Sequence, residues 1–229
     1  MDRNHPAADP RRSPSSSTGS SVTTDTLLLA ASVSVPPESE VFELGCGSGA
    51  ALVTAAERNP GCTWTGLDIQ EDLLAEARKA SARPCGTGSF RWILCPVESV
   101  PSVFSRGVAD AVIANPPYMV QASNRPSPSA CRRTARSAPP LLLQRFIRAA
   151  SHLLREDGTL VMVNRPENLT KMLLGFLASE MAPVLLQPVG DPDRPAELIL
   201  LSGLKGSSRD LSILPQREAG SILDDAGLP

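Results

Sequence analysis

Aromatic residues make up only 3% of the 229-residue chain, and Tyr118 is its one tyrosine. So few large flat side chains leave little from which to build an apolar protein interface, and a monomer is the expectation. Histidine is rarer still, with His5 and His152 alone. The cysteines (Cys46, Cys62, Cys85, Cys95 and Cys131) are odd in number and scattered, with no C-x-x-C pair. That set argues against a zinc site of the usual ligand spacing and fits a reducing compartment, so no metal is expected. Long apolar runs are lacking as well. Leu27–Val35 follows Arg11 and Arg12 in the manner of a signal peptide, but it is short, Asp25 stands just before it, and it leads into a core strand. The expectation is a cytoplasmic protein without a membrane span. The chain also has no excess of positive charge. Its net charge of -2 excludes a general polyanion binder, so any nucleic-acid site has to come from local asymmetry.

What the chain does have is proline, 22 residues of it, cutting an alternation of apolar segments. Residues 1–22 are rich in Ser, Pro and Arg, cannot offset the entropy of ordering, and are expected to be disordered. Residues 23–229 are expected to form one domain. Within it Thr24 or Asp25 predicts the cap of a helix over Thr26–Ser32. Strands are predicted at Val41–Leu44, Thr63–Leu67, Arg91–Cys95, Ala109–Ala114 and Thr159–Asn164, and helices at Ala50–Arg58, Glu71–Ala80, Leu141–Leu154 and Leu169–Met181. Such alternation implies an α/β fold with a mostly parallel sheet covered by helices on both faces. Two closing strands, Val184–Pro188 and Ala196–Leu201 around Asp191-Pro192-Asp193, break the alternation and predict an antiparallel hairpin at the sheet edge.

Two patterns carry chemistry. The first is Glu43-Leu44-Gly45-Cys46-Gly47-Ser48-Gly49, which joins a strand to a helix, with Asp68 nineteen residues beyond Gly49 at the end of the next strand. Glycine there permits a tight turn and close approach of backbone to a ligand. Ligands on such sheets sit at the carboxyl ends of the strands, where a carboxylate can accept from both ribose hydroxyls of a nucleoside. The glycines are not spaced as in the dinucleotide fingerprint G-x-G-x-x-G, and the acid at the head of the turn suits a cation better than a pyrophosphate. The second pattern, Asn115-Pro116-Pro117-Tyr118, ends a strand of the same sheet. An exocyclic amine conjugated to a ring is a poor nucleophile. Two acceptors on its hydrogens, the Asn115 side-chain oxygen and the Pro116 carbonyl, can free its lone pair. Consecutive prolines hold that carbonyl rigidly, and Tyr118 offers a ring for a base to stack on.

These residues carry a resemblance. Glu43–Gly49 resembles motif I of the class I S-adenosylmethionine-dependent methyltransferases, and Asp68 looks like that family's ribose-binding acid. Asn115–Tyr118 resembles the tetrapeptide of members that methylate planar amino groups: adenine N6, cytosine N4 or a glutamine amide. The resemblance implies a Rossmann-like, seven-stranded methyltransferase fold, S-adenosylmethionine as cofactor, and a cofactor site of Glu43, Leu44, Gly45, Cys46, Gly47, Gly49, Asp68, Ile69, Val97 and Asn115. The family's usual acid after the third strand is replaced by Pro96, with Glu98 two residues on.

For the acceptor, forty residues before Val41 are too few for the extra helical domain of release-factor glutamine methyltransferases, and no segment is long enough for a DNA target-recognition domain. From Ala111 to Arg155 there is no Asp or Glu, while Arg125, Arg132, Arg133, Arg136, Arg145, Arg148 and Arg155 fall within it. The expectation is a local basic patch whose first four arginines contact the phosphates of RNA around a flipped-out base. Over roughly residues 24–220 the chain resembles the tRNA1(Val) (adenine-N6)-methyltransferase family. The matches are Asp25–Ala31, motif I, Asn115–Tyr118, Arg165-Pro166-Glu167-Asn168-Leu169 and Leu204–Ser208. That implies tRNA as partner, with no DNA and no membrane. The rivals are N5-glutamine methylation of a protein and a non-catalytic RNA-binding protein on a decayed methyltransferase fold. His152 and Cys46 are expected to be packing residues, and Lys205 part of a turn within reach of RNA.

Overall fold

The computed structural model describes residues 22–82, 88–117 and 141–228. One eight-stranded sheet runs through them. Its strands are β1 (Glu40–Leu44), β2 (Thr63–Asp68), β3 (Ser89–Leu94), β4 (Ala109–Ala114), β5 (Leu154–Asn164), β6 (Met181–Val189), β7 (Leu198–Lys205) and β8 (Ser212–Ile213), in the spatial order β3-β2-β1-β4-β5-β7-β6-β8. Pairing is parallel from β3 through β5 and antiparallel at β5–β7 and β7–β6. The fold is the expected α/β Rossmann-like methyltransferase sheet with a C-terminal antiparallel part. The strand beyond the expected seven is β8, a two-residue piece that pairs parallel with β6.

The alternation of side chains along the central strands builds two cores. Val41, Ala111, Ile113, Val161 and Val163 face α1 (Thr24–Ala31), α2 (Ala50–Arg58) and the C-terminal helix Ala219–Asp225. Phe42, Leu44, Val112, Ala114, Leu160 and Met162 face the other way, toward α4 (Val100–Val103), α5 (Leu142–Leu153) and α6 (Leu169–Leu177). A strand buried on both faces reads as a continuous apolar run, as β4 does in Ala-Asp-Ala-Val-Ile-Ala. A third helix, α3 (Glu71–Ser81), returns the chain from β2 to β3.

Several boundaries differ from the sequence expectation: Thr23, not Thr24 or Asp25, caps α1, the two closing strands run over Met181–Val189 and Leu198–Lys205, and two further differences have local reasons. Glu156-Asp157-Gly158 does not separate α5 from a strand. It is a kink inside β5, which begins at Leu154, pairs with Ala109, and shifts register before Thr159 pairs with Ala111. Asp157 takes φ 62° there, and a Cβ on Gly158 would lie 2.8 Å from the Arg155 carbonyl. Helix α6 stops at Leu177, four residues before Met181. Glu180 turns the chain at φ 57°, and Met181 already starts β6. The expected disordered N-terminal segment lies outside the described residues apart from Val22. Among the described residues no helix is long and apolar enough to cross a membrane.

Candidate active site

Parallel strands β1, β2 and β4 end side by side, with Leu44 paired to both Leu67 and Ala114. The residues that follow therefore meet at one carboxyl edge: the glycine turn after β1, Asp68 at the end of β2, and Asn115 after β4. The turn is held by backbone. Gly45 and Cys46 both donate to the Leu67 carbonyl, at 2.8 and 3.0 Å, and Gly49 donates to Cys46 at 2.9 Å. Gly45, Gly47 and Gly49 take φ of 71°, 53° and 77°, left-handed conformations that other residues adopt at a cost, which explains why three glycines alternate here. Gly49 then caps α2.

Asp68 is 7% exposed and spends both oxygens on this architecture. One accepts from Gly47 N at 2.8 Å and the other from Gln70 N at 2.9 Å. Each carboxylate oxygen has a second lone pair, so capacity for a ribose hydroxyl remains on both.

Glu43 is buried in the middle of the edge, and its Oε2 has no hydrogen-bond partner among the described residues. It lines a cavity of about 190 Å³ together with Thr23, Thr26, Ser48, Gly45–Gly47 and Asn115. Among the described residues no cationic side chain lines that cavity. Burial first, and the nearby Asp68 second, push the Glu43 carboxyl well above its ordinary range, against an opposing backbone hydrogen bond at Leu52. A charged carboxylate taken out of water with one oxygen unpartnered is costly, so the free protein favours the protonated form. An incoming cation would supply the missing partner.

The other expected cofactor residues divide. Ile69, next after Asp68, is 58% exposed. Leu44 and Val97 are core side chains, so only their backbone faces the edge. Cys46 is buried, and burial raises its thiol far above the ordinary value, in keeping with a packing role. Glu98 is engaged. Its own backbone amide and an ion pair with Arg145 Nη1 at 2.6 Å hold its carboxyl below the usual range. At the acceptor, Asn115 is half-buried, Pro116 is buried and Pro117 is exposed. Tyr118, Arg125, Arg132, Arg133 and Arg136 lie outside the described residues.

Of the seven arginines between Ala111 and Arg155, only Arg145, Arg148 and Arg155 fall on described residues, and they do not gather at one place. α5 runs from the carboxyl edge to the opposite edge, so its arginines are spread along its length. Arg145 is tied to Glu98. Arg155 pairs with Asp110 at 2.5 Å, at the start of β4, five residues and about 16 Å of strand from Asn115. Lys205 also differs from expectation. It is buried, and its ammonium donates to the Ser151 and Leu154 carbonyls at 2.8 Å each, closing the C-terminus of α5. His152, by contrast, is the tie expected of a packing residue, bonded at 2.8 Å to the Phe104 carbonyl.

Sequence reading missed the first turn of α1 as a cavity wall. Thr23 caps that helix, accepting from Thr26 N at 3.3 Å, and both threonines face the Glu43 cavity. The signal available, Thr-Thr-Asp-Thr, is a capping pattern and says nothing of a site. On the other side of the same turn, Thr24 and Asp25 line a second cavity of about 450 Å³ with Arg165, Asp191, Glu197 and Glu218.

A left-handed glycine turn, an acid at the end of β2 and a buried carboxylate with one oxygen unpartnered among the described residues, all on the edge of this sheet, define a class I S-adenosylmethionine-dependent methyltransferase. The residues fit that cofactor. Glu43, with its unpartnered Oε2, would meet the positive charge, Asp68 keeps acceptor capacity that would serve the ribose, and among the described residues no cationic side chain in the cavity wall opposes it. Over residues 37–179, well over half its length, the chain matches the family described as methyltransferase domain, and it belongs to that family.

Among similar proteins, a tRNA1(Val) (adenine(37)-N6)-methyltransferase of Vibrio campbellii is 29% identical over 62% of this chain and 57% of its own length. The protein of the same description from Dickeya chrysanthemi is 23% identical over 89% of this chain and 80% of its own. The matched part thus spans little more than half of the Vibrio protein. Among solved structures, a predicted O-methyltransferase from Agrobacterium tumefaciens superposes with a TM-score of 0.70 at 21% identity, covering 88% of this chain and 94% of that one. At that identity the likeness speaks for the fold alone.

Proposed function

We propose that this methyltransferase acts on an exocyclic amino nitrogen, N6 of adenine in tRNA, adjacent to the anticodon. The observation that carries the reading is the position of Asn115, which lines the same small cavity as Glu43. An amine held by the Asn115 side-chain oxygen and the Pro116 carbonyl would sit at the mouth of the cofactor site. Bound S-adenosylmethionine supplies an electrophilic methyl group. The chain's own residues hold and polarise the acceptor: the Asn115 side-chain oxygen and the Pro116 carbonyl accept hydrogen bonds from its two N–H groups and turn its lone pair out of conjugation, and the one proton lost on methylation passes to water. Pro116 is buried and Pro117 fixes the following φ, so the carbonyl is preset rather than recruited. Orientation of this kind can lower a barrier by roughly 7–11 kcal/mol, and a strong general base is not needed. The two tRNA methyltransferase relatives support adenine as the acceptor.

The test is methyl transfer from labelled S-adenosylmethionine to unmodified total tRNA, followed by digestion to nucleosides. N6-methyladenosine formed by the wild type and absent with Asn115→Ala is the expected result. Cofactor binding without labelled RNA, and with labelled protein instead, would overturn it in favour of glutamine methylation.

A further inference from the structure

In a chain so poor in aromatic residues, two rings close on the glycine turn from opposite faces of the sheet. Trp92 of β3 is the register partner of Gly66 in β2, and its indole lies across that glycine. A Cβ built on Gly66 would overlap the indole, and so would one on Gly49, the last residue of the turn, which would also lie 3.0 Å from Ala77 Cβ. The ring has little freedom to give way. Its Nε1 donates to Ser81 Oγ at 2.9 Å, and it stacks on Phe90 with centroids 5.7 Å apart and planes 8° from parallel. From the other face, Phe146 of α5 reaches the first residue of the turn, where a Cβ on Gly45 would lie 3.2 Å from Phe146 Cε1. Phe146 is itself buried.

We propose that Trp92 and Phe146 are positioning residues that form an aromatic clamp on the cofactor turn, pressing Gly49 and Gly45 so that the turn is preset before the cofactor arrives. Neither ring lines the Glu43 cavity. Both act through the turn, and the glycines at 45, 49 and 66 leave the space the rings fill. Gly66 makes the point separately from backbone conformation, because its φ is not positive and the atoms nearest to an alanine Cβ there are those of the ring and the Cys46 sulfur. Presetting lowers the ordering cost of binding, so its loss appears in affinity rather than in the rate at saturation. The proposal is independent of which acceptor the enzyme uses.

The experiment is calorimetric binding of S-adenosylmethionine and S-adenosylhomocysteine to the full chain, with amide hydrogen exchange across residues 45–50. The variants are Trp92→Ala, Trp92→Phe, Gly66→Ala and the double variant Trp92→Ala/Gly66→Ala. In Trp92→Ala both ligands should bind roughly ten-fold more weakly, with kcat at saturating cofactor unchanged and faster exchange confined to the turn. Trp92→Phe should recover most of the affinity. Gly66→Ala should weaken binding in the wild-type background and by clearly less once Trp92 is gone, the remainder belonging to the Cys46 sulfur that the same Cβ would meet at 2.8 Å. A folded Trp92→Ala protein with wild-type affinity and wild-type exchange at 45–50 overturns the clamp. So does a Gly66→Ala effect that persists in full without Trp92. If Trp92→Ala does not fold, wild-type affinity and exchange in Gly66→Ala overturn it equally.

Discussion

Two cavities share the first turn of α1 as a wall, and they are lined differently. The smaller, on the Thr23 and Thr26 side, has Glu43 as its one charged lining residue among the described residues. The larger, on the Thr24 and Asp25 side, gathers Asp25, Asp191, Glu197 and Glu218 around Arg165, whose guanidinium donates to the Glu197 carbonyl at 3.1 Å. The first suits a positively charged ligand, and its geometry is set by a turn with little room to vary. The second has a rim of mostly negative side chains, which repel phosphate. Neither wall suits a polyanion. If RNA is the substrate, the phosphate contacts must come from outside both cavities, and the arginines of residues 118–140 are the ones the sequence offers for it.

The largest effect that would break this division belongs to Asn115, which faces the small cavity but is assigned to the acceptor. Asn115→Ala should lower kcat by roughly 100- to 1000-fold, the usual cost of removing a group that acts on the reacting atoms. Calorimetric affinity for S-adenosylmethionine should change by less than about three-fold, since the cofactor's charge and ribose are met elsewhere. A comparable loss in both quantities would move Asn115 to the cofactor side of the comparison.

Asp68 should behave the opposite way. It joins the turn to β2 through Gly47 N and retains lone pairs for the ribose, so Asp68→Ala removes a backbone anchor and a ligand contact together. Its dissociation constant for S-adenosylmethionine should rise roughly 30-fold, about 2 kcal/mol, with a much smaller change in kcat at saturation.

The difference between the cavities also explains what could be read in advance. The alternation of apolar strands and helices announced the parallel sheet. Glycine spacing announced the turn, because left-handed φ at residues 45, 47 and 49 is a property of residue type. Asp68 followed from its place at a strand end. Arginine spacing did not announce a surface in the same way. Arg145 and Arg155 lie ten residues apart on a helix and a strand leading away from the edge, and each finds an acid contributed by another part of the fold, Glu98 and Asp110. Lys205 was misread for the same reason. A lysine beside Gly206 and Ser207 has the look of a surface turn, and nothing local says that the C-terminus of α5 will be waiting for its ammonium. The role of α1's first turn, and of Trp92 behind the glycines, depended on which elements the sheet order brings together.

Glu43 sharpens the small cavity by its pH dependence. Its folded-state value is raised above the unfolded 4.5, so the proton contributes stability that is fully present below about pH 4.5. That contribution is lost as pH rises through the raised value. A cationic ligand favours the carboxylate, so binding releases the proton, and S-adenosylmethionine should bind more tightly as pH rises through that window. S-adenosylhomocysteine, which lacks the sulfonium charge, should respond less. Glu43→Gln should flatten the slope for S-adenosylmethionine and narrow the gap between the two ligands, a change of roughly three- to ten-fold in relative affinity. Calorimetry in buffers of different ionisation enthalpy would show the released proton directly. A slope kept intact in Glu43→Gln would assign it to another group.

The smallest effect is expected at Arg155, and it bears on the basic-patch argument most directly. Its side chain is 61% exposed, paired with Asp110 at the start of β4, on the edge of the sheet away from Asn115. An exposed pair of this kind contributes about 0–1 kcal/mol, so Arg155→Ala should shift thermal stability only slightly. It should leave tRNA methylation within about two-fold of wild type and the salt dependence of tRNA binding unchanged, because a residue that touches no phosphate removes no counterion from the balance. Alanine at Arg132 and Arg133 should instead weaken tRNA binding and flatten its salt dependence, by roughly one unit of slope for each phosphate no longer neutralised. The same weakening from Arg155→Ala would place the RNA across the far edge of the sheet and undo the separation of edges on which the acceptor assignment rests.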